Sequence, residues 1–186
     1  MRTILITGAT SGIGKASAIA FAKQKDRIII NGRRENLLHE LQQELVENFK
    51  AEVHILPFDV RIKENVFDAI HNLPEAWKNI DILVNNAGLA LGKDLFDNAH
   101  LHDWETMIDT NIKGLLYVTK AVLPSMIKNK KGHIINISSI AGDFAYLGGN
   151  VYCASKSAVN SISQGMRSDL LAHNIKVTNI KPGAVE

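Results

Sequence analysis

Short apolar runs alternate with longer amphipathic segments along the whole chain. The runs predict six strands, at residues 4–6, 28–30, 53–56, 82–84, 134–137 and 175–180. Nearly continuous apolar runs are typical of strands that are covered on both faces, as in a parallel sheet. The segments between them place apolar residues at helical spacing and predict helices at 12–24, 34–49, 62–71, 102–128 and 150–173.

The repeating strand–helix order predicts an α/β protein with a doubly wound parallel sheet, the Rossmann fold. Right-handed crossovers would put helices on both faces of the sheet, and we expect the strand order 3-2-1-4-5-6. The sequence contains no low-complexity stretch and no evident linker. We therefore expect residues 1–186 to form a single domain.

Composition narrows the range of partners. A formal net charge of +2 argues against nucleic acid as the main partner. The single cysteine, Cys153, excludes an intrachain disulfide and fits a reducing compartment. His100 and His102 lack further ligands at metal-binding spacing, and no apolar run approaches the roughly 18 residues needed to span a bilayer. We expect a cytoplasmic protein without a metal site.

A glycine-rich segment, Gly8-Ala9-Thr10-Ser11-Gly12-Ile13-Gly14, follows the first strand and opens the first helix. Glycines permit a tight turn, and they let backbone N–H groups approach a pyrophosphate at the helix N-terminus. Its spacing differs from the commoner G-x-G-x-x-G pattern. The alternative is a glycine-rich turn that binds no ligand.

Residues capable of binding or catalysis follow five of the predicted strands. These residues are Thr7-Gly8, Asp59-Val60, Asn85-Asn86-Ala87-Gly88, Ser138-Ser139 and Pro182-Gly183. Ligands of open α/β sheets bind outside the carboxyl ends of the strands. The sequence therefore predicts that these loops meet at one ligand site.

The residues after the second strand indicate which dinucleotide binds. Enzymes that use NAD usually place an acidic residue there to hold the ribose hydroxyls. Here the segment reads Asn31-Gly32-Arg33-Arg34, with no acid before Glu35. A guanidinium attracts the 2′-phosphate of NADP, which a carboxylate would repel. Arg33 and Arg34 therefore favour NADP, although arginines also occur as plain surface residues at the start of a helix.

Tyr152 and Lys156 lie one turn apart on a predicted helix and so share a face. An ammonium about 4 Å from a phenol would stabilise the phenolate by up to roughly 4 kcal/mol, which is enough to make it a usable acid/base. The alternative is packing of an aromatic ring against a lysine stem. Ser139 could hydrogen-bond a substrate oxygen, and Ser138 is an equally suitable hydroxyl by chemistry.

Asn111 falls on an apolar stripe of the predicted helix 102–128. The stripe consists of Trp104, Ile108, Leu115, Val118 and Val122. A buried amide needs hydrogen-bond partners. Asn111 is therefore either a structural residue bonded to nearby backbone or the holder of a water that links Lys156 to solvent.

Together these motifs resemble those of the short-chain dehydrogenase/reductase family. The matching segments are Thr7-Gly8-x3-Gly12-Ile13-Gly14, Asn85-Asn86-Ala87-Gly88, Asn111, Ser139, Tyr152-x3-Lys156 and Pro182-Gly183. The resemblance implies that Tyr152 is the acid/base and that Ser139 orients the substrate. It also implies that Lys156 activates the tyrosine and binds the ribose, while Asn111 holds the relay water.

The resemblance also implies a dinucleotide-binding and catalytic domain with a defined set of cofactor contacts. These are Gly8, Thr10, Ser11, Gly12, Ile13, Gly14, Arg33, Arg34, Asp59, Val60, Asn86, Ala87, Gly88, Tyr152, Lys156, Pro182 and Gly183. Asp59 and Val60 would contact the adenine. Family members pair long helices across two-fold axes, so we expect a homodimer or homotetramer through helices 102–128 and 150–173.

Three segments, 81–91, 103–111 and 148–152, are similar to bacterial NADP-dependent 3-hydroxy acid (serine or allo-threonine) dehydrogenases. This similarity implies hydride transfer between NADP(H) and a small 3-hydroxy acid or its semialdehyde or ketone. Two alternatives are a reductase of another carbonyl, such as a 3-oxoacyl thioester or a xenobiotic ketone, and a non-catalytic NADPH-binding regulator. Family members usually run to about 250 residues. A seventh strand and a substrate-covering loop would follow Pro182-Gly183, and we expect both to be absent from these 186 residues.

Overall fold

Six parallel strands form the centre of the protein in a computed structural model, which describes residues 1–184. The order across the sheet is β3-β2-β1-β4-β5-β6. The strands are β1 (Thr3–Ile6), β2 (Arg27–Gly32), β3 (Val53–Pro57), β4 (Ile82–Asn85), β5 (Gly132–Ile137) and β6 (Ile175–Ile180). The order reverses between β1 and β4, so the predicted doubly wound Rossmann fold is confirmed.

Helices cover both faces of the sheet. They are α1 (Gly12–Lys23), α2 (Glu35–Phe49), α3 (Lys63–His71), α4 (Leu101–Ile108), α5 (Leu115–Asn129) and α6 (Asn150–Asp169). Successive strand residues point to opposite faces. In β1, Ile4 and Ile6 pack in the core beneath α1 and α2, whereas Leu5 packs in the core beneath α3 and α5. No helix among residues 1–184 is long and apolar enough to span a membrane.

The predicted helix 102–128 is not one continuous α-helix. Between α4 and α5 the backbone forms a wide turn of π-helical geometry, Asp109–Gly114. Such a turn acts as a one-residue insertion and rotates the preceding helix relative to the following one. As a result Met107 is buried, whereas Ile108, which was expected on the buried stripe, is 38% exposed.

The predicted helix 150–173 also ends earlier than expected. Helix α6 stops at Asp169, and Leu171–His173 form a separate 3-10 turn. Asn174 then adopts a left-handed conformation with φ of 56°. This conformation reverses the direction of the chain before β6. Asparagine suits the position, because it tolerates positive φ better than most residues do.

Candidate active site

The carboxyl ends of the strands surround a cavity of about 780 Å³. All the predicted catalytic and cofactor-contact residues line this cavity except Gly14 and Asn111, and of the strand-end residues Thr7 and Asn85 do not line it. The fold therefore brings together predicted residues from seven separate segments of the chain, as expected for a doubly wound sheet.

Glycine occupies each of three positions of the β1–α1 loop for a different structural reason. Gly8 has φ of +62°, and a Cβ there would lie 2.9 Å from the Cα of Ala87. A Cβ at Gly14 would collide with the carbonyl oxygen of Gly8, so Gly14 serves the packing of α1 against the loop and does not face the cavity. Gly12, with φ of +51°, has no atom within 4 Å of its Cβ position and leaves open space.

The N-terminus of α1 faces the cavity with its amides free for an anion. Ser11 is the N-cap residue, and its side chain makes no capping hydrogen bond. The first turn contains no acidic residue that would compete for these amides. Backbone N–H groups and the helix dipole together favour a phosphate at this position.

Thr7 and Asn86 join the β1–α1 loop to the loop after β4. The hydroxyl of Thr7 accepts hydrogen bonds from the amides of Asn86 and Ala87, both at 3.0 Å. The side-chain amide of Asn86 donates to the carbonyl oxygens of Thr7 at 2.9 Å and Gly8 at 3.0 Å. Asn86 therefore contributes to the site by holding the cavity wall in place.

Two arginines stand at the end of the cavity nearest β2 and β3. Arg34 donates from Nη2 to the hydroxyl of Thr10 at 3.3 Å. Nη1 of Arg33 lies 3.9 Å from Oδ2 of Asp59, and the Arg33 side chain is 59% exposed. Both guanidinium groups are therefore positioned to meet a phosphate that enters from solvent.

Asp59 has a partner that the sequence reasoning missed. Arg61 donates to both carboxylate oxygens of Asp59, and its Nη2 lies 2.7 Å from Oδ2. Burial alone would raise the pKa of Asp59, but the hydrogen bonds and charge of Arg61, together with the charge of Arg33, lower it. The only available signal was an arginine two residues after a strand-end aspartate.

Tyr152 and Lys156 lie one turn apart on α6 at the opposite end of the cavity. Nζ of Lys156 donates to the carbonyl oxygen of Ile137 at 3.0 Å and lies 5.8 Å from the centre of the Tyr152 ring. Burial lowers the pKa of Lys156 to about 8. A Cβ at Gly88 would lie only 3.3 Å from Nζ, so glycine leaves room for the ammonium group.

The two serines after β5 have different partners. Ser138 donates to Oδ1 of Asn160 at 2.7 Å and approaches the carbonyl oxygen of Lys156 at 3.1 Å. Ser139 accepts from the amide of Ala141 at 3.1 Å within its own loop. Both serines line the cavity, but the Ser138 hydroxyl is committed to α6.

Asn111 lies within the wide turn, is 2% exposed and does not line the cavity. Its Oδ1 accepts from the amide of Leu89 at 2.9 Å, and its Nδ2 donates to the carbonyl oxygen of the same residue at 2.9 Å. Nδ2 also donates to the hydroxyl of Ser155 at 3.0 Å. These contacts agree with the prediction that Asn111 is a structural residue bonded to nearby backbone, because its side chain links the loop after β4 to α6. The water relay stays a prediction.

Tyr146 lines the cavity, although there was no reason in the sequence to select it. It lines the main cavity and also a neighbouring one of about 470 Å³, whose walls include Tyr152, Lys93 and Asp103. Burial raises the pKa of Tyr146. The ring packs tightly against Gly149, which leaves no space for a side chain there.

The fold and these motifs define a dehydrogenase of the short-chain class, and comparison with known proteins agrees. The family model described as short chain dehydrogenase matches residues 2–186, so the chain belongs to this family. The resemblance seen in the sequence is thereby confirmed.

The chain is similar to particular members of the family. It is 48% identical over 182 residues to the NADP-dependent 3-hydroxy acid dehydrogenase YdfG of Escherichia coli (strain K12), covering 98% of this chain and 72% of that protein. It is 48% identical over 184 residues to serine 3-dehydrogenase of Rhizobium radiobacter, covering 99% and 72% of the two chains.

Solved structures of serine dehydrogenases are similar to this chain in both fold and sequence. The crystal structure of serine dehydrogenase from Escherichia coli aligns with a TM-score of 0.92 at 48% identity, covering 97% of this chain and 82% of that chain. The closed form of serine dehydrogenase complexed with NADP⁺ aligns with a TM-score of 0.92 at 48% identity, covering 97% and 71%.

Proposed function

We propose that this protein is an NADP-dependent oxidoreductase that transfers a hydride between NADP(H) and a small 3-hydroxy acid or its semialdehyde or ketone. The observation that carries the proposal is that Tyr152, Lys156 and Ser139 line the same cavity as the glycine loop and Arg33. The names of the relatives, a 3-hydroxy acid dehydrogenase and a serine 3-dehydrogenase, support the substrate class.

The cavity fits the cofactor. Gly12 leaves open space beside the uncapped amides of α1, where the pyrophosphate would lie. Asp59 and Val60 would flank the adenine, Arg33 and Arg34 would hold the 2′-phosphate, and Lys156 would hold the nicotinamide ribose. The remaining wall would come from Asn86, Ala87, Gly88, Pro182 and Gly183.

Tyr152 would act as the acid/base of the reaction. In alcohol oxidation its phenolate takes the proton of the substrate hydroxyl, and in carbonyl reduction its phenol donates that proton to the substrate oxygen. Ser139 would hydrogen-bond the same oxygen and orient it. Bound NADP(H) accepts or supplies the hydride at the substrate carbon.

Lys156 would favour the phenolate through its positive charge. Because burial lowers the pKa of Lys156 to about 8, its own charge is lost not far above neutral pH. We propose that Asn111 holds a water beside this pair, while its side chain fixes the loop after β4.

We further propose that residues 1–186 act as one dinucleotide-binding and catalytic domain of a cytoplasmic enzyme. The assembly would be a homodimer or homotetramer through α4, α5 and α6. Support comes from an apolar groove of about 410 Å³ in which Phe67, Leu116, Leu123 and Met166 are brought together by α3, α5 and α6.

Turnover assays test the proposed activity. The purified protein would be mixed with NADPH and a panel of carbonyl compounds: 3-oxo acids and their semialdehydes, a 3-oxoacyl thioester and a neutral ketone. We expect oxidation of NADPH with the small acids at the highest kcat/KM. Preference for the thioester or the neutral ketone would contradict the substrate class, and no turnover with any compound would favour a non-catalytic NADPH-binding protein.

A further inference from the structure

Asn160 is a residue of α6 whose side-chain amide is fully used in hydrogen bonds. Oδ1 accepts from the hydroxyl of Ser138 at 2.7 Å and from Nδ2 of Asn179 at 2.8 Å. Nδ2 donates to the carbonyl oxygen of Gly142 at 3.1 Å and to Oδ1 of Asp143 at 3.2 Å. An amide offers two lone pairs and two hydrogens, so all four positions are filled.

These four bonds join three segments that supply the site. Ser138 precedes Ser139, Gly142 and Asp143 end the same loop, and Asn179 lies in β6 three residues before Pro182. Asp143 also forms an ion pair of 2.6 Å with Lys181, which strengthens the link to the end of β6. One side chain therefore ties the loop after β5 and the end of β6 to α6.

The position of Asn160 on α6 relates it to the acid/base pair. Residues 152, 156 and 160 are spaced by four and lie along the same side of the helix. Tyr152 and Lys156 approach the cavity from that side. The surface of α6 that carries the acid/base pair is thus the surface to which Asn160 fastens residues 138–143, the serine loop.

Few other polar contacts hold residues 138–143 against α6. Ser138 also approaches the carbonyl oxygen of Lys156, and Ser157 donates to the carbonyl oxygen of Gly142. The Ser139 hydroxyl accepts from the amide of Ala141 and donates to the carbonyl oxygen of Pro182 at 3.5 Å, and neither bond fixes the distance of the loop from the helix. Packing is close, because a Cβ at Gly142 would lie 2.7 Å from Nδ2 of Asn160 and 2.8 Å from the Lys156 backbone.

We infer that Asn160 is a positioning residue for the reaction, which sets the separation between the Ser139 hydroxyl and the Tyr152 phenol by fastening the serine loop to α6. This inference rests on the proposed function, since it assigns these two groups to one substrate oxygen. Catalytic groups must be held to within about 0.5 Å of their productive geometry, and small displacements can lower rates up to about 100-fold.

The experiment compares four variants with the parent protein. Asn160→Ala removes all four bonds, and Asn160→Asp places a second carboxylate beside Asp143 while keeping the acceptor for Ser138. The double variant Asn160→Asp/Asp143→Asn exchanges the amide and the carboxylate and restores a donor–acceptor pair between the two residues, while it loses the ion pair of Asp143 with Lys181. Ser163→Ala is the control, because Ser163 is buried on the same helix and bonds Val159 and Asn136, away from the cavity.

We expect Asn160→Ala and Asn160→Asp to lower kcat about 10- to 100-fold while the Kd of NADPH changes by less than about threefold. The isotope effect with deuterated NADPH should rise, because hydride transfer becomes rate-limiting. The double variant should recover part of the kcat lost in Asn160→Asp, even if Asn160→Ala does not fold. Ser163→Ala should lower the Tm and leave kcat unchanged.

A kcat for Asn160→Ala within about twofold of the parent value, at any Tm, would overturn the inference. So would a double variant no more active than Asn160→Asp. Failure of the proposed function is seen separately, as an inactive parent protein. In that case, crystal structures of the parent and the Asn160 variants test the inference through the distance between Ser139 Oγ and Tyr152 Oη. A change of more than about 0.5 Å in this distance supports the inference, and an unchanged distance overturns it.

Discussion

At the scale of single residues, Lys156 shows how stability and chemistry compete in this site. Its side chain is 6% exposed, and a lone backbone carbonyl, that of Ile137, accepts a hydrogen bond from its ammonium. No carboxylate forms an ion pair with it among residues 1–184, and burial lowers its pKa to about 8. Such an arrangement costs folding free energy and is typical of a group retained for function.

Lys156→Met should therefore stabilise the cofactor-free protein at pH 7 by about 1–3 kcal/mol, less the cost of leaving Ile137 without its donor. The unfolded lysine keeps its proton up to about pH 10.5 and the native one only to about 8, so the unfolded state binds more protons in between. The advantage of the variant should be full below pH 8 and shrink towards pH 10.5. Urea denaturation at several pH values measures it. A variant less stable than the parent at pH 7 would contradict the buried-charge explanation.

Tyr152→Phe isolates the phenolic proton, because the ring and its packing remain. We expect turnover to fall at least about 100-fold, the lower limit for loss of a general acid or base. The Kd of NADPH should change by less than about threefold, since one hydroxyl is removed and the rest of the cavity lining is kept. Stopped-flow reduction and fluorescence titration measure the two quantities. Retention of more than about a tenth of the rate would remove Tyr152 from the acid/base role.

At the scale of elements, the strands followed from the sequence more directly than the helices did. Each apolar run became a strand because strands buried on both faces allow few polar positions, as in Ile28–Ile30. The wide turn at Asp109–Gly114 could not be foreseen, because inserting one residue into a helix leaves no compositional mark. The buried position thus moved from Ile108 to Met107.

The site, too, could be predicted only in part from the sequence. Strand-end positions predicted more than half of the cavity lining, because topology alone brings those ends together. The partners that fix side chains were not predictable, since they depend on three-dimensional proximity. Arg61 on Asp59, Leu89 on Asn111 and Asn160 on Ser138 are such partners.

The β2–α2 loop gives an element-scale prediction about cofactor choice. Replacing Arg33 and Arg34 together by alanine should weaken NADPH binding about 100-fold or more, from two lost charge-assisted contacts. NADH binding should change by less than about threefold, because NADH lacks the 2′-phosphate. Calorimetric titration with both cofactors measures the ratio. Arg2→Ala, which breaks an ion pair outside the cavity lining, is the control. Equal losses for NADPH and NADH would make these arginines ordinary surface charges.

At the scale of the whole molecule, the sheet separates two kinds of surface. The carboxyl edge carries the cavity, so it must stay accessible to substrate and cofactor. The face covered by α3 and α5 carries an apolar groove, where Leu116 remains 40% exposed beside Tyr117 and Leu123. On the opposite face, α2 exposes Val46 to a similar extent, 42%, and Val46 does not line that groove.

This difference yields a prediction about assembly. If a second copy covers the groove, Leu116→Lys places a charge in an apolar interface, where removal from water without a partner is costly. Light scattering should then show a dimer or tetramer for the parent protein and a shift toward monomer for the variant. Val46→Lys should leave the assembly unchanged, because it adds the same charge at matched exposure on the face away from the groove. A monomeric parent protein, or equal dissociation by both substitutions, would mean that these helices do not form the interface.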